Sequence, residues 1–253
     1  MVVSVEISGV LEEKLRRLVD LGIYASVSEA VRDAVRRMLS DLDLKKVALN
    51  ILVNKGCSLH YACEFSDSTC PEFIEYLLLR NITPPLGFIG EPEKPNPGES
   101  LILDPSSLLI AFSTLAYKAY EALTSIVEIS VPSVLENYYA VLRALGIKSG
   151  LNIKKDFKIL NILELKGSTR VLLTKSEYSI IKYIESNSGV IVVSDDFYIQ
   201  KYLNKNNIKY YSTIGIVNLA RELKMIDNLE YKEILLSLKS FPYAFSYEVK
   251  STE

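Results

Sequence analysis

Three aspartates in this chain stand where an apolar run ends. "SLILDPSS" leads Leu101 to Leu103 into Asp104, and "VIVVSDDFYIQKYL" leads Val190 to Val193 through Ser194 into Asp195 and Asp196. Clustered carboxylates repel one another and are costly unless a cation or proton compensates them. A hard divalent ion such as Mg²⁺, which prefers a few carboxylates plus water, is the natural compensation. The single histidine, His60, lies in another segment, so histidine-based hydrolysis is not expected. Metal-activated water attacking a phosphodiester is open to such a site.

The elements that must position these acids are short strands alternating with helices. From residue 100 onward "SLILDPSSLLIAF", "VEISVPSVLENYYAVLRAL" and "VLLTKSEYSIIKYIESNSGVIVVSDDFYIQKYLNKNNIKYYSTIGIVNLAREL" each run strand or loop into helix, with Glu136 on the first turns of one helix. That alternation predicts a mostly parallel sheet, which presents its ligand sites at the carboxyl ends of the strands. Upstream, "NITPPLGFIGEPEKPNPGES" at residues 81–100 holds five of the nine prolines. Such a run excludes helix and interior strand. It predicts a linker over residues 83–99, between a helical N-terminal part and residues 100–253.

The N-terminus alternates Val3, Val5 and Ile7 with Ser4, Glu6 and Ser8, the pattern of one amphipathic strand. A lone strand leaves its backbone groups unpaired, so a second strand is required. Two short helices follow, the first stopped at Gly22 and the second opened by Ser26 and Glu29 at capping-box spacing. Forty residues of this kind cannot bury a core alone, which predicts a homodimer.

This order, and the run "GIYASVSEAVRDAVRRML", resemble the ribbon-helix-helix family of repressors and antitoxins over residues 1–40. The resemblance implies operator DNA as a partner. Base-facing side chains would be Val2, Ser4 and Glu6, with phosphate held near Ser26 and Ser28. Residues 1–40 carry six basic and six acidic residues and no Lys or Arg on the strand, so a dimerisation module that reads no bases is the alternative.

Residues 41–82 read as a small all-α segment with helices near 42–54, 58–65 and 70–80, Ser58 capping the second and Thr69 with Glu72 boxing the third. The layout resembles small helix-turn-helix-like antitoxins. Cys57, His60, Cys63 and Cys70 fall within fourteen residues here, which invites structural zinc. No Cys-x-x-Cys knuckle is present, and the spacing favours small buried residues instead.

In order along residues 100–253, "LDPSSLL", "VPSVLE", "LTKSEYSII" and "VVSDDFYIQKYL" resemble the PIN nuclease family. The resemblance implies a three-layer α/β domain and a metal-dependent endoribonuclease that cleaves an RNA substrate with Mg²⁺ or Mn²⁺. Its acids would be Asp104, Glu136, Glu177 and Asp196, joined as a ligand or helix cap by Asp195, and Ser106 and Ser194 would orient the site. Glu177 stands where the family usually has aspartate. An aspartate after a strand is more often a helix cap than a ligand. Four acids in family order reverse that expectation for Asp104 and Asp196.

The 253 residues are 49% hydrophobic with a net charge of −2, enough to bury a core and too acidic to coat nucleic acid by bulk charge. No run reaches the ~18 apolar residues of a membrane span, and no secretion signal is seen, so a cytoplasmic protein is expected. The sequence thus predicts a regulated ribonuclease related to toxin-antitoxin systems. The alternative is a non-catalytic, DNA-binding regulator or scaffold with a degenerate PIN domain.

Overall fold

The computed structural model describes residues 5–89, 93–96, 98–144, 157–165, 171–187 and 189–245. They belong to two compact units, Met1–Val47 and Ala48–Glu253.

The first unit holds α1 (Val10–Asp20) and α2 (Val27–Asp41). Gly22, at φ 71°, lets the chain leave α1, a conformation that a β-carbon would strain. Ser26 opens α2 by accepting a hydrogen bond from Glu29 N at 3.2 Å. Leu15 and Ala30 alone are buried among the described residues of this unit, while Val5, Val10, Leu11, Val35 and Met38 are exposed. Residues 5–8 form no strand in the single chain. The expected strand has no ladder partner there, and Val2 and Ser4 lie outside the described residues. Glu6, Ser26 and Ser28 are exposed.

In chain order the second unit continues with α3 (Leu44–Asn50), which enters from the first unit, and a π-helical turn, Ile51–Lys55. Gly56, at φ 75°, ends that turn. Then follow α4 (Leu59–Phe65), α5 (Cys70–Leu78), β1 (Gly87–Phe88), β2 (Ser100–Leu103), α6 (Pro105–Ser113), α7 (Tyr117–Leu123), β3 (Glu128–Pro132) and α8 (Glu136–Ala144). The chain ends with β4 (Lys158–Leu160), α9 (Lys175–Ser186), β5 (Val190–Val193), α10 (Phe197–Lys205), β6 (Tyr210–Tyr211), α11 (Thr213–Glu222), α12 (Asn228–Ser240) and β7 (Ala244–Phe245). Ser58 caps α4, and Thr69 with Glu72 forms a full capping box on α5, as the sequence predicts.

The division of the chain differs from the sequence expectation. The units part at Val47, and the helices of residues 48–82 belong with the C-terminal strands rather than standing apart. The proline-rich stretch is woven into the second unit: Leu86 is fully buried and β1 pairs in parallel with β7. Proline bars an interior strand, but a two-residue pairing at an edge needs few backbone donors.

The main sheet has five strands in the order β4-β3-β2-β5-β6, all parallel. Leu101 lies between Ile129 and Ile191 in the register, and Leu103 opposite Val193. Strands covered on both faces need near-continuous apolar runs, and Leu101, Ile102 and Leu103 are all fully buried. The unit is therefore α/β, compatible with three layers. From β2 the chain builds outward to β3 and β4, then resumes on the other side with β5 and β6. The switch point between β2 and β5 is the crevice where such sheets bind ligands. No described helix is long and apolar enough to cross a membrane.

Gly87 fixes one wall near that crevice. At φ 137° it donates its N–H to Asp195 O at 2.7 Å, and its carbonyl accepts from Gln200 Nε2 at 2.7 Å. A β-carbon there would lie 1.8 Å from Ala244 O. Gly87→Ala is expected to break the β1–β7 pairing and to cost ~2–4 kcal/mol, read from the urea midpoint of the full chain.

Candidate acid site at the sheet switch point

Helices that return from a parallel sheet point their N-termini at its carboxyl edge, and four of them meet here, those of α6, α9, α10 and α11. Asp104 follows β2 and caps α6: its Oδ1 accepts from Ser107 N at 2.8 Å and from Ser106 Oγ at 2.7 Å. Ser106 Oγ in turn accepts from Asp195 N at 2.8 Å, which ties the ends of β2 and β5 together. Asp196 caps α10, its Oδ1 accepting from Tyr198 N (2.8 Å) and Ile199 N (3.2 Å). Glu177 closes the capping box of α9, and its Oε2 accepts from Thr174 N at 2.7 Å and Thr174 Oγ1 at 3.0 Å.

The N-terminus of α4, from outside the sheet, joins them. Leu59 N donates to Asp196 Oδ2 at 2.6 Å, and Ser58 Oγ donates to Glu177 Oε2 at 2.6 Å while capping its own helix. The helical segment thus seats its positive end directly on two of the acids, which favours their ionised forms. Asp195 faces elsewhere. Its Oδ1 accepts from Thr213 N (2.8 Å) and Tyr243 Oη (2.6 Å), and its Oδ2 from Thr213 Oγ1.

Asp104 and Glu177 (2% exposed each), Asp195 (0%) and Asp196 (1%) are all buried. Burial pushes Glu177 up to about 7 against the pull of His60, Ser58 and Thr174. It pushes Asp195 to about 7 despite Thr213 and Tyr243, and Asp196 to about 8 with the charge of Glu177 adding to it. Asp104 is raised by burial, against its bond from Ser107. Its Oδ2 and the Ser194 hydroxyl are both buried without a hydrogen-bond partner. Ser194 is close enough to favour the Asp104 carboxylate without completing a hydrogen bond to it.

The structure buries Asp104, Glu177, Asp195, Asp196, Ser106 and Ser194, with hydrogen bonds tying Asp104 through Ser106 to Asp195, and Glu177 and Asp196 to the start of α4. It leaves out Glu136, which is exposed at the start of α8 and makes no hydrogen bond to the buried acids among the described residues. The helix cap is Asp196 rather than Asp195, and the carboxylate oxygens of Asp195 are already spent on Thr213 and Tyr243. Thr174, Thr213 and Tyr243 complete the network. Thr174 was legible as the first residue of a T-x-x-E box; Thr213 and Tyr243 carry no local signal.

A divalent cation held by the protein needs carboxylate oxygens free to turn toward one point, with water completing its shell. Among the described residues no group of three or more His, Cys, Asp or Glu is so placed. Asp104 Oδ2 is the one buried carboxylate oxygen left unbonded among them. In this arrangement the donor set does not fit Mg²⁺ or Mn²⁺: amides and hydroxyls occupy the oxygens of Asp196 and Glu177 Oε2. Nor do Cys57, His60, Cys63 and Cys70 form a zinc set among the described residues. Cys57 feels Asp196 and Glu177, whereas His60 meets Cys70.

No family model, curated protein or solved structure matches this chain.

Proposed function

We propose that the chain is a PIN-type endoribonuclease, dependent on Mg²⁺ or Mn²⁺, whose acid site is masked by the N-terminus of α4. The observation that carries this reading is the unpartnered Asp104 Oδ2 beside the unpartnered Ser194 hydroxyl, at the switch point of an all-parallel sheet and among carboxylates raised toward neutrality. Strongly perturbed acids in a crevice are what a catalytic site accumulates. Asp104 would be the first residue to hold a cation, and Glu177 and Asp196 would be the other acids to hold it, once freed of Ser58 and Leu59. The exposed apolar side chains of the first unit support the pairing of two copies through residues 1–40, with operator DNA as a partner of that pair.

A second reading is favoured by the saturation of Asp195 and Asp196: a degenerate domain whose acids only cap helices, in a DNA-binding regulator or scaffold. One experiment separates them. Cleavage of a mixed single-stranded RNA is measured with Mn²⁺ for the full chain, for Asp104→Asn and for Ser58→Ala. Asp104→Asn keeps the acceptor for Ser106 and Ser107, so it folds; on our reading it loses cleavage. Ser58→Ala removes the donor to Glu177 and one cap, worth ~1–2 kcal/mol, and raises cleavage about tenfold. Absence of cleavage in all three, with no Mn²⁺ bound, supports the second reading.

A further inference from the structure

Away from the acids, α4 and α5 meet at an open cavity of about 390 Å³, lined among others by His60, Cys63, Glu64, Cys70 and Tyr138. Cys70 is the first residue of α5, where the helix end favours a negative charge. His60 Nδ1 lies 3.5 Å from Cys70 Sγ, and its Nε2 lies 3.7 Å from Glu64 Oε1, one turn further along α4. The ring of Tyr138 stands edge-on to His60 at 4.5 Å. Cys63, three residues after His60 on the same helix, lines the same cavity as Cys70.

We propose that Cys70 is a peroxide-reactive thiolate, positioned by His60 and resolved by Cys63, so that hydroperoxides entering this cavity convert the pair into a Cys63–Cys70 disulfide. The proposal stands independently of any ribonuclease activity. The Cys70 thiolate attacks one peroxide oxygen: the S–O bond forms, the O–O bond breaks, and the leaving alkoxide or hydroxide takes the proton of the His60 imidazolium. The Cys63 thiol then attacks the sulfenic sulfur of Cys70; the S–S bond forms, the S–O bond breaks and water leaves with the Cys63 proton. Two thiols are oxidised by two electrons, and one hydroperoxide becomes an alcohol (or water) and a water.

The three thiols differ in the sense this chemistry needs. Burial opposes charge at Cys70, yet Cys63, His60 and Tyr138 together hold it below the usual thiol range. Burial pushes Cys63 well above that range, so that it keeps its proton while Cys70 is the sulfur that meets the peroxide, and gives the proton up only as it attacks the sulfenic sulfur. Burial and the charges of Asp196 and Glu177 push Cys57 up to about 12, which makes it an internal control. His60 is held charged by Cys70, Glu177 and Glu64 although burial works against it.

The test treats the full-length chain with a small excess of hydrogen peroxide at neutral pH, then alkylates remaining thiols in denaturant and reads peptides by mass spectrometry. The expected result is loss of two hydrogens with Cys63 linked to Cys70 and Cys57 alkylated. Cys63→Ser is expected to trap a sulfenic acid at Cys70 that takes dimedone. His60→Gln is expected to slow oxidation on the order of tenfold at neutral pH, and Tyr138→Phe, which removes a hydroxyl that favours the Cys70 thiolate, to slow it less. Oxidation of Cys57 as fast as Cys70, or a Cys70 rate like that of a free thiol and unchanged in both His60→Gln and Tyr138→Phe, overturns the proposal.

Discussion

Asp196→Ala is expected to destabilise the second unit by ~2–4 kcal/mol and to free the first turn of α4. Asp196 serves two helices that are 137 residues apart in sequence at the contact, accepting from Tyr198 and Ile199 of α10 and from Leu59 of α4. Loss of one N-cap costs ~0.5–2 kcal/mol, and each amide left buried without an acceptor costs ~1–3 kcal/mol. Relief of the repulsion between Asp196 and Glu177 offsets part of that sum. Asp196→Asn tests the division of labour. Its remaining oxygen can still cap α10, but its amide meets Leu59 N donor to donor, so only the α4 contact is lost and the cost falls to ~1–2 kcal/mol. Hydrogen exchange at Leu59 and Tyr61 checks this: both variants are expected to speed exchange there, while Asp196→Ala alone also speeds it at Tyr198 and Ile199. Unchanged exchange at Leu59 in both variants overturns the double-cap account.

The parallel sheet was legible because alternating strands and helices leave it few alternatives, and the positions of Asp104, Asp195 and Asp196 at its rim follow from the apolar runs before them. The caps on α4 and α5 were equally legible, since Ser58 and the Thr69–Glu72 pair act within three residues. Long-range donors leave no such trace. Leu59 meets Asp196 through a backbone N–H, which every residue but proline carries, so no residue type announces it. Tyr243 and Thr213 fill Asp195 from the far end of the chain, and nothing in "DD" tells which aspartate will turn to the cap. The proline-rich run read as a linker because prolines exclude regular structure, while the burial of Leu86 depends on the partner strand near Ala244. Cys70 and His60 read as metal ligands or packing residues; their pairing emerges only when α4 and α5 fold back on each other.

Raising the pH from 5.5 to 8.5 is expected to weaken the full-length chain by several kcal/mol. Glu177 and Asp195 are pushed up to about 7 and Asp196 to about 8, against ordinary carboxyl values near ~4. Between those limits the native state binds more protons than the unfolded state, so stability falls as pH rises. The contribution is fully present below the unfolded values and is lost as pH passes through 7 and 8. His60, held up to about 9, adds to the fall, whereas Cys70, held low, opposes it. Glu99 is lowered to about 2, by Tyr211, Asn96 and Lys209 against burial, and its contribution is lost only in stronger acid. Maximum stability therefore lies on the mildly acidic side. Since ~1 kcal/mol moves the melting point of a domain this size by ~2–4 °C, a drop on the order of 10 °C is expected by pH 8.5. Glu177→Gln can offer Thr174 and Ser58 a neutral acceptor, so it flattens the profile. Manganese gives the sharper discrimination at pH 8.5. If the ionised acids recruit it once α4 lifts, millimolar Mn²⁺ restores the lost melting temperature in wild type and not in Asp104→Asn. If the acids exist only to cap helices, the ion changes neither protein, and the weakening at high pH is simply the cost of charging a buried network that was built to hold protons.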